Sequence, residues 1–179
     1  MIKKLAILFA TLTMVLCCTT TAFAAGETGS ITIENTAVGK EYKAYKIFDV
    51  TYSGNNYAYT IENDSAWFGV VEEYANVFDN GLKLEPKEGE KTNIVTINNT
   101  EFNVKKFVSH LLDKTPSTAI AQAEKTSSAD GETIKFTDLE LGYYFIKAGT
   151  DTLCNLTTTN PDAKIRDKNV SANLQSCGF

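Results

Sequence analysis

Apolar and polar residues alternate with a period of two at both ends of the chain. This pattern covers residues 29–34, 57–62 and 143–148 and is typical of β-strands with one buried face. Residues 41–52 also alternate, but both faces of that segment are partly apolar, which predicts a central strand. Its more apolar face is predicted to carry Tyr42, Ala44, Lys46, Phe48 and Val50.

Between these strands the apolar period changes to that of a helix. Residues 65–79 place a large apolar side chain on every turn, and a glycine at position 81 ends the pattern. Residues 103–114 repeat the helical period, with Asn103 as an N-cap and Pro116 as a stop signal. The sequence therefore predicts two helices inserted between strands.

The remaining short apolar runs complete the predicted sheet arrangement. No strand–helix–strand alternation is present, so a parallel sheet with helical crossovers is disfavoured. The pattern predicts an all-β, immunoglobulin-like β-sandwich with two inserted helices, extending from about Gly29 to Asn169. Residues 119–123 remain ambiguous between strand and helix, and residues 126–132 are predicted to be a polar loop. Further strands are predicted at 82–85, 93–98, 133–137, 152–156 and 163–168.

The N-terminus has the organisation of a secretory signal peptide. Lys3 and Lys4 precede an apolar stretch, and an A-x-A site ends at Ala24. We therefore predict a signal peptide at residues 1–24, cleavage before Ala25 and an extracellular, secreted protein without a membrane anchor. The alternative is an uncleaved anchor, which is disfavoured because the apolar run is short for a bilayer.

Composition and charge exclude several classes of function. The chain has 179 residues, a net charge of −5 and a single histidine. Lys and Arg form no stripe, so nucleic acid and anionic membranes are poor partners. Phosphate loops, nucleophile elbows and metal-ligand motifs are absent from the sequence, so we predict no enzyme, no cofactor and no metal site. His110 lies in the second predicted helix, where we expect it to face solvent.

Two cysteines, Cys154 and Cys177, follow the predicted signal peptide. Secretion permits a disulfide between them. Two cysteines do not make a disulfide framework, however. The simpler interpretation, which the sequence favours, is a small strand residue at Cys154 and a thiol on a loose tail at Cys177.

Two segments carry a resemblance to a known family. Residues 29–68 read GSITIENTAVGKEYKAYKIFDVTYSGNNYAYTIENDSAWF, and residues 139–169 read LELGYYFIKAGTDTLCNLTTTNPDAKIRDKN. Together they resemble the N-terminal domain of Gram-positive sortase-dependent fimbrial subunits, the pilins and isopeptide-forming cell-wall surface proteins. The resemblance implies an adhesive structural protein of the fimbrium or cell wall at residues 25–169. Its implied partners are other pilin subunits and sortase, if a full-length subunit exists, and a host surface or glycan.

The sequence also departs from that family. It contains no L-P-x-T-G sorting signal, and residues 170–179 read as a short disordered tail. We therefore expect either a truncated fimbrial subunit or, as the alternative, a free secreted β-sandwich domain that binds a glycan or host protein.

The resemblance further implies an intramolecular Lys–Asn isopeptide bond. The matching positions are Lys46 and Asn169, with Glu140 or Asp138 as the carboxyl that would polarise the amide. The alternative is a lysine whose charged end reaches solvent and a surface asparagine. An unlinked Lys46 is favoured, because N-terminal domains of this family often lack the bond and Asn169 lies where the chain leaves the fold.

Overall fold

The computed structural model describes residues 27–53, 56–78 and 81–168. Two β-sheets account for about half of this part of the chain, and two helices lie between strands in sequence. Among the described residues, no helix combines the length and apolar character needed to cross a membrane. The predicted signal peptide with its Ala24–Ala25 cleavage site, and the predicted tail at 170–179, lie outside the described residues.

The element bounds follow the predicted order closely. The helices are α1 (Phe68–Phe78) and α2 (Val104–Asp113). The strands are β1 (Thr28–Glu34), β2 (Glu41–Ser53), β3 (Asn56–Glu62), β4 (Leu82–Pro86), β5 (Thr92–Ile97), β6 (Ala123–Thr126), β7 (Ile134–Glu140), β8 (Gly142–Lys147), β9 (Thr152–Leu156) and β10 (Asp162–Arg166).

The two sheets differ in size and pack face to face. The smaller sheet has the strand order β10-β1-β7, and the larger has the order β4-β5-β3-β2-β8-β9 with β6 also pairing to β2. Apolar side chains from both sheets fill the space between them, including the fully buried Ile31, Tyr42 and Tyr144. The predicted all-β sandwich with two inserted helices is therefore confirmed.

A second core lies on the other face of the larger sheet. Both helices pack there, and Tyr74, Phe107 and Trp67, which immediately precedes α1, are buried against Phe48 and Phe145 of the sheet. The Phe48 and Phe107 rings stack with centroids 6.3 Å apart. Burial of such large aromatic rings dominates the free energy that core packing contributes to stability. The helices thus form a third layer that covers the larger sheet.

The helix predictions succeeded because their signals are local. The Asn103 side chain accepts a hydrogen bond from the Lys106 backbone N–H at 3.0 Å, as an N-cap does. Gly81 follows α1 with φ of 81°, a backbone conformation that glycine adopts without steric cost. The predicted helix bounds of 65–79 and 103–114 are accurate to three residues or fewer.

Strand β6 was not predicted. It runs from Ala123, the last residue of the segment left ambiguous between strand and helix, to Thr126, the first residue of the predicted loop. It pairs with the first residues of β2, Ala123 opposite Ala44 and Thr126 opposite Glu41. Its residues Ala-Glu-Lys-Thr carry no apolar alternation. The strand exists because β2 offers unpaired backbone groups there, and that is a tertiary effect.

The expectation that His110 faces solvent was wrong. Its side chain is buried at 8% exposure, with Nε2 lying 3.0 Å from the Val70 carbonyl oxygen of α1. The imidazole also contacts the Tyr74 ring at 5.4 Å between centroids. His110 therefore joins the two helices, a role that helical spacing alone does not distinguish from exposure.

Candidate functional site

Lys46 and Glu140, which the family resemblance paired, lie together in the structure. Lys46 Nζ forms ion pairs with the Glu140 carboxylate and with Asp49 Oδ1, the latter at 2.7 Å. The lysine stem packs over Gly142, where the absence of a side chain gives it room. Asp138, the other carboxyl considered, instead accepts a hydrogen bond from the Thr137 hydroxyl at 2.8 Å. Of the two carboxyls considered, Glu140 is therefore the one that forms an ion pair with Lys46.

The predicted face of strand β2 was wrong beyond Lys46. The pairing of β2 with β8 shifts register between Lys46 and Phe48. This bulge reverses the alternation, because an extra residue in one strand moves all later side chains to the other face. Tyr42 and Ala44 consequently face the smaller sheet, whereas Phe48 faces the helices. The bulge leaves Lys46 at the margin of the inter-sheet core.

The electrostatic surroundings of Lys46 favour its charged form. Burial by itself lowers the pKa of the Lys46 ammonium, but hydrogen bonds and charge attraction from Asp49 and Glu140 outweigh it and raise the pKa above its ordinary value. Amide attack requires a neutral amine. The two carboxylates therefore oppose the deprotonation that an isopeptide bond needs. Asn169 lies outside the described residues, so the favoured absence of a link to Lys46 stays a prediction.

We expect the mature chain to have the mass of its sequence, with Lys46 unlinked. A cross-link would lower the intact mass by about 17 Da for an asparagine partner or about 18 Da for a carboxyl partner, the masses of released ammonia and water. Intact-mass spectrometry of the reduced protein measures this directly. A deficit that Lys46→Ala abolishes and Lys43→Ala retains would contradict the expectation.

A second site, which the sequence did not reveal, joins Tyr42 to Asp167. Both side chains are buried, at 0% and 2% exposure, and the Tyr42 hydroxyl donates to Asp167 Oδ2 at 2.7 Å. Asp167 Oδ1 is buried without a hydrogen-bond partner among the described residues. A methyl group at Gly149 would overlap this carboxylate. The two residues are 125 positions apart in the sequence, so no periodic pattern relates them.

A polar cluster extends from this pair across one end of the sandwich. The Tyr42 hydroxyl accepts the Ala37 backbone N–H at 2.9 Å. The buried Thr36 and Ser127 hydroxyls lie 2.6 Å apart and connect the β1–β2 loop to the β6–β7 loop. Backbone and side-chain hydrogen bonds from Ser128 lower the pKa of the Glu132 carboxyl below its ordinary value. These contacts hold three chain segments together at that end.

A third group of side chains forms an aromatic surface. Ring contacts connect Tyr52 to Tyr57 at 6.2 Å, Tyr57 to Tyr59 at 5.6 Å and Tyr59 to Tyr143 at 5.3 Å between centroids. We call these four residues the tyrosine strip. Tyr143 also contacts the buried Phe48, whereas Tyr57 is 50% exposed. Alternation along a single strand did not predict how exposed these tyrosines are, because their rings contact one another across three strands.

The partly exposed thiol of Cys154 lies on β9 and is free among the described residues. Burial raises the pKa of this thiol to about 12. The thiolate is the reactive form of cysteine, so burial disfavours reaction of this side chain at neutral pH. Cys177 lies outside the described residues, and the predicted absence of a Cys154–Cys177 disulfide stays a prediction.

These side chains connect chain segments through buried hydrogen bonds and ring contacts. Within the described ranges, no three or more His, Cys, Asp or Glu side chains are grouped as metal ligands would be. No protein-family model matches the chain, and no curated protein matches it.

Proposed function

We propose that this chain is a secreted structural and adhesive protein, the N-terminal domain of a Gram-positive fimbrial subunit. The support from sequence is the signal peptide pattern and the resemblance of residues 29–68 and 139–169 to that family. The support from structure is a β-sandwich whose buried polar groups connect distant segments. The function proposed is assembly and adhesion, without catalysis.

The observation that carries this proposal is the parallel pairing of the first and last strands. Strands β1 and β10 pair in five positions, from Ser30 opposite Asp162 to Glu34 opposite Arg166. Because the two strands run in the same direction, the chain enters at one end of the sandwich and leaves at the other. A domain in a fibre needs this arrangement, since neighbours attach at opposite ends.

The same pairing suits a domain that carries tension. Pulling Thr28 and Asp167 apart would slide β1 along β10, so the evenly spaced hydrogen bonds between the strands would share the load. The hydrogen bond from the Asp167 backbone N–H to the Glu34 carbonyl oxygen, at 2.9 Å, extends the pairing beyond the strands. Strand β1 also pairs with β7 on its other edge, which restrains it further.

A free secreted domain that binds a glycan or host protein is the second candidate. The tyrosine strip favours it, because a half-exposed tyrosine beside further aromatic rings is typical of recognition surfaces. This candidate requires neither polymerisation nor sortase.

Immunoblotting of the organism that produces the protein distinguishes the two candidates. If a longer form of the subunit carries the sorting signal, as the fimbrial proposal requires, an antibody against residues 27–168 should detect a ladder of high-mass species in enzymatically released cell-wall material. Covalent polymers survive boiling in detergent, so the ladder should persist. A strain lacking sortase is the matched control, in which the ladder should collapse to monomer. A single monomeric band, found only in the culture medium, would contradict the fimbrial proposal and support the free domain.

A further inference from the structure

The tyrosine strip has the form of a binding surface. Tyr143 packs beside the buried Phe48, Tyr52 and Tyr59 are partly exposed, and Tyr57 is 50% exposed. The Tyr57 and Tyr59 rings meet at an interplanar angle of 71°, and the Tyr59 and Tyr143 rings at 65°. Tyrosine supplies contact area at low entropic cost, since it has few rotatable bonds. The strip is therefore already ordered before any ligand binds.

Polar groups at the edge of the strip are also held in place. The Asn155 side-chain amide donates to the Tyr59 hydroxyl at 3.3 Å. The Thr158 backbone N–H donates to the Tyr52 hydroxyl at 2.8 Å. The Tyr52 hydroxyl thereby uses an acceptor site and keeps its own hydrogen for donation, and the Asn155 carbonyl oxygen keeps its capacity to accept. The surface thus combines apolar rings with both kinds of hydrogen-bonding group.

The strip carries no charge. Neither its four tyrosines nor Asn155 and Thr158 contribute a charged side chain. Burial raises the pKa of Tyr59, and it raises the pKa of Tyr143 to about 12, so these phenols stay neutral at physiological pH. The chain as a whole has a net charge of −5. An anionic ligand would be repelled by the chain, and a cationic ligand would find no carboxylate in the strip.

We propose that the tyrosine strip binds a neutral oligosaccharide. A sugar ring presents C–H groups that pack on aromatic rings and hydroxyls that donate and accept hydrogen bonds, and it carries no charge. These three properties match the strip, Asn155 and Tyr52. The binding surface lies on β2, β3 and β8, and it is independent of whether the chain polymerises.

The test is binding of the purified full chain to defined sugars by isothermal titration calorimetry. The probes are cellotetraose, maltotetraose and chitotetraose, with sialyllactose as an anionic comparison and octaproline as a peptide comparison. We expect at least one neutral probe to bind more tightly than sialyllactose and octaproline. Loss of one aromatic contact, in Tyr57→Ala, should weaken that binding about tenfold.

Two further variants sharpen the result. Asn155→Asp keeps the size of the side chain but removes the amide that holds the Tyr59 hydroxyl and adds a charge beside the strip, so it should weaken binding to the same neutral probe. Ile120→Ala removes an apolar side chain that is 82% exposed outside the strip, and it should bind as the wild type does. The proposal is overturned if no neutral probe binds, if sialyllactose or octaproline binds more tightly, or if Tyr57→Ala and Asn155→Asp both bind as Ile120→Ala does.

Discussion

The domain should unfold cooperatively as the pH is raised from about 9 to about 12, the range in which its phenols would ionise. Desolvation raises the pKa of Tyr42 and of Tyr143 to about 12, from an ordinary value of 10. In Tyr42 the hydrogen bond to Asp167 adds to the shift. Burial also raises the pKa values of Tyr144 and Cys154. Each of these four raised pKa values lowers the stability of the folded protein as the pH rises.

The sign of the effect follows from proton binding. The unfolded chain loses its phenol protons near pH 10, whereas the folded chain keeps those of Tyr42 and Tyr143 until about pH 12. Unfolding in this range therefore releases protons, and the stability present below pH 10 is lost as the pH rises. Each of these two phenols contributes about 2–3 kcal/mol. Domains of this kind are stable by about 5–15 kcal/mol, so two such losses are a large fraction.

Urea unfolding at several pH values, followed by circular dichroism, measures this profile. Tyr143→Phe is the informative variant, because it removes the ionising hydroxyl and keeps the partly buried ring. We expect it to resemble the wild type at pH 7 and to be the more stable protein near pH 11. Tyr57→Phe, which removes a half-exposed hydroxyl, is the matched control. A Tyr143→Phe profile parallel to that of the wild type would contradict the prediction.

Tyr42→Phe should lower the free energy of unfolding by about 3 kcal/mol at pH 7. The variant removes the hydrogen bond to Asp167 Oδ2, and Oδ1 already has no partner among the described residues. The carboxylate is 2% exposed, so water does not replace the lost donor. The Ala37 backbone N–H loses its acceptor as well. A buried charge without partners is among the costliest defects in a folded protein.

A buried tyrosine with a neutral acceptor provides the matched control. Tyr74 is 0% exposed, and its hydroxyl donates to the Asn103 carbonyl oxygen at 3.2 Å. Tyr74→Phe should cost about 1 kcal/mol, since a backbone carbonyl carries no net charge. Combining Tyr42→Phe with Asp167→Ala should recover about 1–3 kcal/mol relative to additivity, because the defect in each single variant is the partner left behind. Equal losses for Tyr42→Phe and Tyr74→Phe, or strict additivity, would refute this account.

Several features of the fold follow from local patterns in the sequence. The helical period of residues 65–79 and 103–114, the Asn103 cap and Gly81 act within a few residues, so they identified both helices. Alternation likewise located most strands and the class of the fold, because a half-buried strand has to repeat its apolar side chains with a period of two.

Tertiary structure decided what depends on pairing between distant segments. The bulge after Lys46 changed which face Phe48 occupies, and strand β6 formed from polar residues where β2 offered a partner. Asp167 appears in the sequence as one carboxylate among many, and only the fold buries it against Tyr42. The candidate sites belong to this second group. Each brings together residues from different strands or loops. Periodicity in a sequence relates only residues that are close along the chain, so it does not predict such contacts.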